Sequence, residues 1–181
     1  DMTDETNMDQ IEFWNGDHGT SWARYADIVD IMFDEITQAV LDAAAISTGD
    51  RVLDLGCGSG GTTLAIAEKV TPIGSVTAID VSSPMLERAQ HRADAAGIVN
   101  ATFVLGDASV YPFAEHSFDA MVSRLGAMFF EPLWVFTQDN DLLEGNLDSL
   151  RRTRISIGPS KSRSNSASRK LFELNGLEIS D

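Results

Sequence analysis

Apolar residues recur along this chain with two periods, and the periods alternate. Between 22 and 45, Tyr25, Ile28, Val29, Met32, Ile36, Val40 and Ala43/Ala44 repeat at steps of three and four. Asp27, Asp30, Asp34, Glu35, Gln38 and Asp42 fill the opposite face. That spacing predicts one long amphipathic helix whose apolar stripe, Met and aromatic positions included, faces a core. Ser47 to Asp50 ends it. Short apolar runs follow at 52–55, 75–80, 101–105 and 118–123, each of strand length. Helix-forming sequence separates the first three: 64–69, and 83–96 with Gly97 as its stop. Ser82-Ser83-Pro84 opens the second of these helices with a capping serine and a proline in its first turn. Strands alternating with helices imply βαβ crossovers and a parallel sheet.

In such a sheet, ligands bind beyond the carboxyl ends of the strands. Asp54, Asp80, Asp107 and Ser123 stand at or next to those ends. The first strand runs into Gly56-Cys57-Gly58-Ser59-Gly60-Gly61, and Thr62 and Thr63 are expected to cap the helix after it. A glycine loop at a helix start lets a ligand touch backbone and aims free N–H groups at a carboxylate or phosphate. Two ligand classes fit. Gly56, Gly58 and Gly61 satisfy the dinucleotide pattern G-x-G-x-x-G, with Asp80 at the end of the next strand to bind ribose hydroxyls. Asp54, Gly56, Gly58 and Gly60 also satisfy D-x-G-x-G-x-G.

That second form resembles motif I of the class I S-adenosylmethionine-dependent methyltransferases. Ser123-Arg124-Leu125-Gly126-Ala127-Met128-Phe129-Phe130 and Trp14-Asn15-Gly16 are similar to text in a small-molecule subgroup of that family. The resemblance spans residues 12–132. It implies an α/β, three-layer Rossmann-like fold with a mostly parallel sheet and helices on both faces. It implies S-adenosyl-L-methionine as cofactor, with no metal. Gly56, Cys57, Gly58, Ser59 and Gly60 would pass against the methionine part, and Asp54 would receive its ammonium. Asp80, followed by Val81, would bind the ribose, and Gly106, Asp107 and Ala108 the adenine edge. Ser123 would belong to the same site, and Trp14 and Asn15 would cover its mouth. His18 is the weak candidate for a general base, ahead of His91 and His116. Cys57 reads as a small filler rather than a nucleophile.

Three segments are expected. Residues 1–21 form an N-terminal segment with an aromatic loop around Trp14 and Trp22, 22–136 the cofactor-binding core, and 137–181 an atypical tail. After 132 the family text fades. Short helices at 142–150 and 168–175, strands at 154–158 and 177–179, and disorder over 160–169 are the expectations there. The sheet is therefore expected to be truncated at its C-terminal edge, leaving an open edge for self-association.

Charge narrows the partners. The net charge is −15. Residues 151–181 hold seven Lys/Arg against three Asp/Glu, which leaves six against 25 in residues 1–150. A body that acidic repels nucleic acid and is compatible with a cationic sulfonium. Cys57 is the only cysteine, so neither an internal disulfide nor a thiolate metal cluster is expected. No apolar run approaches a membrane span, and a cytoplasmic location is the default. The leading expectation is methyl transfer to a small-molecule acceptor. The rivals are a non-catalytic module that still holds the cofactor and an NAD-dependent oxidoreductase.

Overall fold

The computed structural model describes residues 7–114, 117–129 and 154–157. Its elements are α1 (Met8–Asn15), α2 (Asp17–Arg24), α3 (Ala26–Met32), α4 (Asp34–Ala43), β1 (Arg51–Leu55), α5 (Gly61–Val70), β2 (Ser75–Asp80), α6 (Ser83–Ala96), β3 (Ala101–Leu105), β4 (Ala120–Ser123) and β5 (Arg154–Ile157). A short 3-10 turn follows β4 at Gly126–Phe129. The five strands lie in the order β3-β2-β1-β4-β5, and every pair is parallel. This is the parallel α/β sheet that the alternation of periods predicts, in the Rossmann-like form that the resemblance implies. The strand order reverses between β1 and β4, the neighbours that frame the glycine loop.

Side-chain alternation gives the sheet two apolar faces. Val52, Val76, Ala120 and Val122 pack with Val40 and Leu41 of α4 and Ile66, Ala67 and Val70 of α5. Ala78 carries the same face on to Leu86 of α6, with Phe103 against it. The alternate residues Leu53, Leu55, Ile79 and Met121 form the other face. Among the described residues, that face is covered by Tyr111, Phe113 and Phe118 from the connection between β3 and β4. The first face therefore has the described helix layer, and the second has an aromatic loop. Complete burial of Val52, Leu53, Ile66, Ile79, Met121 and Val122 marks the centre. Each such side chain is worth about 1.5–3 kcal/mol of transfer free energy.

The N-terminal third differs from its expectation. The predicted loop at 13–22 is helical, with α1 and α2 breaking only at Gly16. The predicted helix at 22–45 is three helices, jointed at Tyr25 and Phe33, neither of which keeps helical backbone angles. The joints turn the inward face. Tyr25, Ile28 and Met32, expected in the core, are exposed at 52%, 56% and 69%. Ala26 is buried instead, and Val29 and Phe33 face a cleft.

Two caps also differ. α5 starts from Gly60 in the left-handed conformation, and no side chain caps it. Ser82 is the N-cap residue of α6 but makes no cap bond; its hydroxyl donates to Trp14 O at 2.6 Å. The expected strand at 154–158 is present as β5. The expectations for 142–150, 160–169, 168–175 and 177–179, and His116, lie outside the described residues. No described helix is long and apolar enough to cross a membrane.

Candidate functional site

A cleft of about 440 Å³ opens at the carboxyl ends of β1 and β2. The glycine loop and Asp80 form its floor, Gly106 and Ala108 one end, and Leu125, Gly126 and Phe129 the other. α1, α2 and α3 form the opposite wall through Trp14, Trp22, Val29 and Asp30.

The loop is held open by its backbone. Gly56 N–H and Cys57 N–H both donate to Ile79 O, at 2.9 and 3.2 Å, folding the chain over the end of β2. Gly56 has φ +64°, and a Cβ there would lie 2.6 Å from Gly126 Cα. Only glycine meets both conditions. Asp80 locks the loop from below. Its Oδ2 accepts from Gly58 N–H at 2.7 Å and its Oδ1 from Ser82 N–H at 2.9 Å. Burial pushes its carboxyl up, while the N–H groups of Ser82, Gly58 and Val81 pull it down. The carboxylate that ends β2 is therefore within one hydrogen bond of the glycine loop and lines the cleft.

Asp54, the penultimate residue of β1, lies beneath the loop, 1% exposed. Its Oδ2 accepts from Thr63 Oγ1 at 2.6 Å, and its Oδ1 is buried without a partner. Burial raises its carboxyl to about 7, against the Thr63 hydrogen bond and Arg124, with Asp80 adding to the rise. A buried acid with one orphaned oxygen beside a helix start has capacity for a donor the protein does not supply. Cys57 lines the cleft, and burial pushes its thiol well up. It therefore stays a neutral, poor nucleophile.

The remaining sequence candidates divide. Ser59 and Val81 line the cleft with Gly106 and Ala108. Gly60 is buried as the N-cap of α5. Asp107, between Gly106 and Ala108, accepts from Asn7 Nδ2 at 2.7 Å and from Ser109 N–H and Oγ at 2.9 and 2.7 Å. Ser123 is fully buried below the site, donating to Leu55 O and accepting from Ala127 N–H, both at 2.8 Å. Trp14 lines the cleft, its ring 5.1 Å edge-on from Phe129. Asn15 braces rather than covers: it donates to Val81 O at 2.8 Å and accepts from Ser83 N–H at 3.0 Å. His18 is exposed and stacks on Phe13 at 4.0 Å. His91 is exposed on α6.

The sequence reading did not single out Asp30, Arg92 or Arg124. Asp30 joins the two arginines across the cleft wall, through Oδ2 to Arg92 and Oδ1 to Arg124. Nor did it give a site role to Leu125, which is held at φ +71° at the cleft end. A branched side chain there is uncommon and stores about 1 kcal/mol or more. No local pattern announces either. Among the described residues no group of His, Cys, Asp and Glu has the arrangement to hold a metal.

The family described as "Methyltransferase domain" matches residues 52–138. Aklanonic acid methyltransferase DauC of Streptomyces sp. (strain C5) is 34% identical over 97 residues, 54% of this chain and 44% of that protein. Demethylmenaquinone methyltransferase of Staphylococcus aureus is 37% identical over 87 residues, 48% of this chain and 35% of that protein. The matches thus span less than half the length of these curated relatives. A solved SAM-dependent methyltransferase from Aquifex aeolicus superposes with a TM-score of 0.55 at 18% identity, covering 96% of this chain and 89% of that one. That likeness is one of fold.

Proposed function

We propose that this chain, whose residues 52–138 match the family described as "Methyltransferase domain", binds S-adenosylmethionine and transfers its methyl group to a small organic acceptor. The observation that carries this reading is Asp80, a partly buried carboxylate facing the cleft and fixed to Gly58 N–H at 2.7 Å. An ionised carboxylate only accepts, and a ribose diol offers two donors. The other groups fit the same ligand. The orphaned Asp54 Oδ1 suits an ammonium. Asp107 accepts three donors and keeps lone-pair capacity for an adenine amino group. Gly106 and Ala108 give the flat end against which an adenine would lie.

The bound sulfonium supplies the methyl group for an in-line displacement; the protein's part is position, dryness and charge. Asp80 orients the ribose. The backbone of Gly56 to Ser59, which lines the cleft, would hold the amino-acid arm. Trp14, Trp22, Val29, Phe33 and Phe129 exclude water from the reacting face. Asn15, through Val81 O and Ser83 N–H, keeps the Trp14 wall in register with β2. A general base enters only for a protonated acceptor.

Support for a small acceptor comes from the acidic surface, from the apolar walls, and from relatives named for aklanonic acid and demethylmenaquinone. Calorimetry with S-adenosylhomocysteine, S-adenosylmethionine and NAD tests the ligand. Binding of the first two without NAD is expected, and Asp80→Asn lowers their affinity by at least about tenfold. NAD binding alone overturns the reading. Labelled methyl transfer to a quinone panel tests the acceptor.

A further inference from the structure

Asp30 does more than close a wall. Its Oδ1 accepts from Arg124 Nη2 at 3.0 Å and its Oδ2 from Arg92 Nη2 at 2.5 Å. Arg124 also donates to Thr37 Oγ1 at 2.9 Å, and Arg92 to Ser59 O at 2.7 Å. Asp30 and Arg124 line the cleft, yet the Arg124 side chain is only 11% exposed. The Asp30 carboxylate lies against Gly61, the first residue of the ten-residue helix α5, where any Cβ would collide with it. Asp54, with its buried, unpartnered Oδ1, reaches the same opening turn through Thr63 Oγ1. A carboxylate therefore sits on the first turn of α5, gripped by guanidinium groups, next to an acid with one oxygen that lacks a donor. That is the environment an amino-acid zwitterion requires: cation and free N–H groups for its carboxylate, an acid for its ammonium.

We propose that Arg124 is the anchor for the amino-acid carboxylate of the ligand, and that Asp30 is a resident stand-in that competes for it. This rests on the S-adenosyl reading above and names the groups that read the ligand's amino-acid arm. Ligand entry exchanges one carboxylate for another on Arg124. The two hydrogen bonds are of the same charge-assisted kind, so Asp30 subtracts from the affinity the carboxylate would otherwise bring. Asp30 keeps Arg92 after the exchange. The joint at Phe33 lets α3 move without α4, whose Thr37 holds Arg124 in place.

The test is calorimetry on the full chain with S-adenosylhomocysteine and with its decarboxylated analogue, which lacks only the carboxylate. Arg124→Gln is expected to weaken S-adenosylhomocysteine by about tenfold or more and to change the analogue by less than about twofold. Asp30→Asn is expected to tighten S-adenosylhomocysteine by about three- to tenfold and not the analogue. Equal losses for both ligands in Arg124→Gln, or weakening of both by Asp30→Asn, overturn the proposal and leave cofactor binding standing. Circular dichroism establishes folding. If Asp30→Asn does not fold, the Arg124 arm decides, with Arg124→Lys, which keeps the charge and loses the fork, as its second variant. If the wild-type chain binds neither ligand, the cofactor reading fails and this proposal fails with it.

Discussion

At the end of β1, Asp54 combines near-complete burial with an oxygen that has no partner. Its carboxyl lies at about 7 in the folded protein and near 3.9 in an unfolded chain. A raised folded value means that the folded state holds the proton more tightly. The stability this contributes is complete below about pH 4 and is lost as pH rises through about 7. Asp54→Asn removes that loss. We expect urea unfolding to show the variant gaining on the wild type between pH 4 and 8, by a few kcal/mol at the upper end, with no gain at pH 4. An ammonium-bearing ligand favours the charged form. Its binding is therefore expected to release a proton and to strengthen as pH rises toward 7, which calorimetry in buffers of different ionisation enthalpy detects.

The strand–loop–helix unit from Arg51 to Val70 is the element that shapes the floor. Gly56→Ala is expected to destabilise by at least about 2 kcal/mol, because it adds a strained φ to an approach of 2.6 Å on Gly126. A thermal melt measures it. The wall formed by α1 and α2 is fastened partly by Ser82, which is fully buried and donates to Trp14 O. Ser82→Ala leaves that carbonyl without its donor, a loss of about 1–2 kcal/mol. Faster amide exchange over residues 8–24 is the expected readout, with the sheet unchanged. The strand–loop–helix unit was legible because its signals are local: Val52 to Leu55 as a buried run, then glycines where a side chain would collide. The breaks at Tyr25 and Phe33 were not. No glycine or proline marks either, and the three-four period of 22–45 is satisfied by a straight helix. Tertiary packing chose Ala26, Val29 and Phe33 over Tyr25, Ile28 and Met32. Asp30 was read as solvated for the same reason: its partners, Arg92 and Arg124, lie 62 and 94 positions away. The place of Asp80 in the cleft was legible because a parallel strand sends its last residue toward the carboxyl edge of the sheet whatever the distant sequence.

For the whole molecule, the cleft exists only where the N-terminal helices meet the carboxyl edge of the sheet. A ligand filling it touches both, so S-adenosylhomocysteine is expected to slow amide exchange in residues 8–33 and around Gly106, and to raise the melting temperature with its concentration. One face of the sheet sits under α4, α5 and α6. The other depends, among the described residues, on Tyr111, Phe113 and Phe118, whose rings stand 4.8 and 5.8 Å apart in sequence. The chain that carries those rings begins at Gly106, Asp107 and Ala108. One ribbon of backbone thus serves as the roof tile over Leu53 and Met121 and, under the proposed function, as the rest on which a nucleobase would lie. Fraying of that ribbon would wet the sheet and blunt recognition at once, and an occupant of the cleft would act as its rivet.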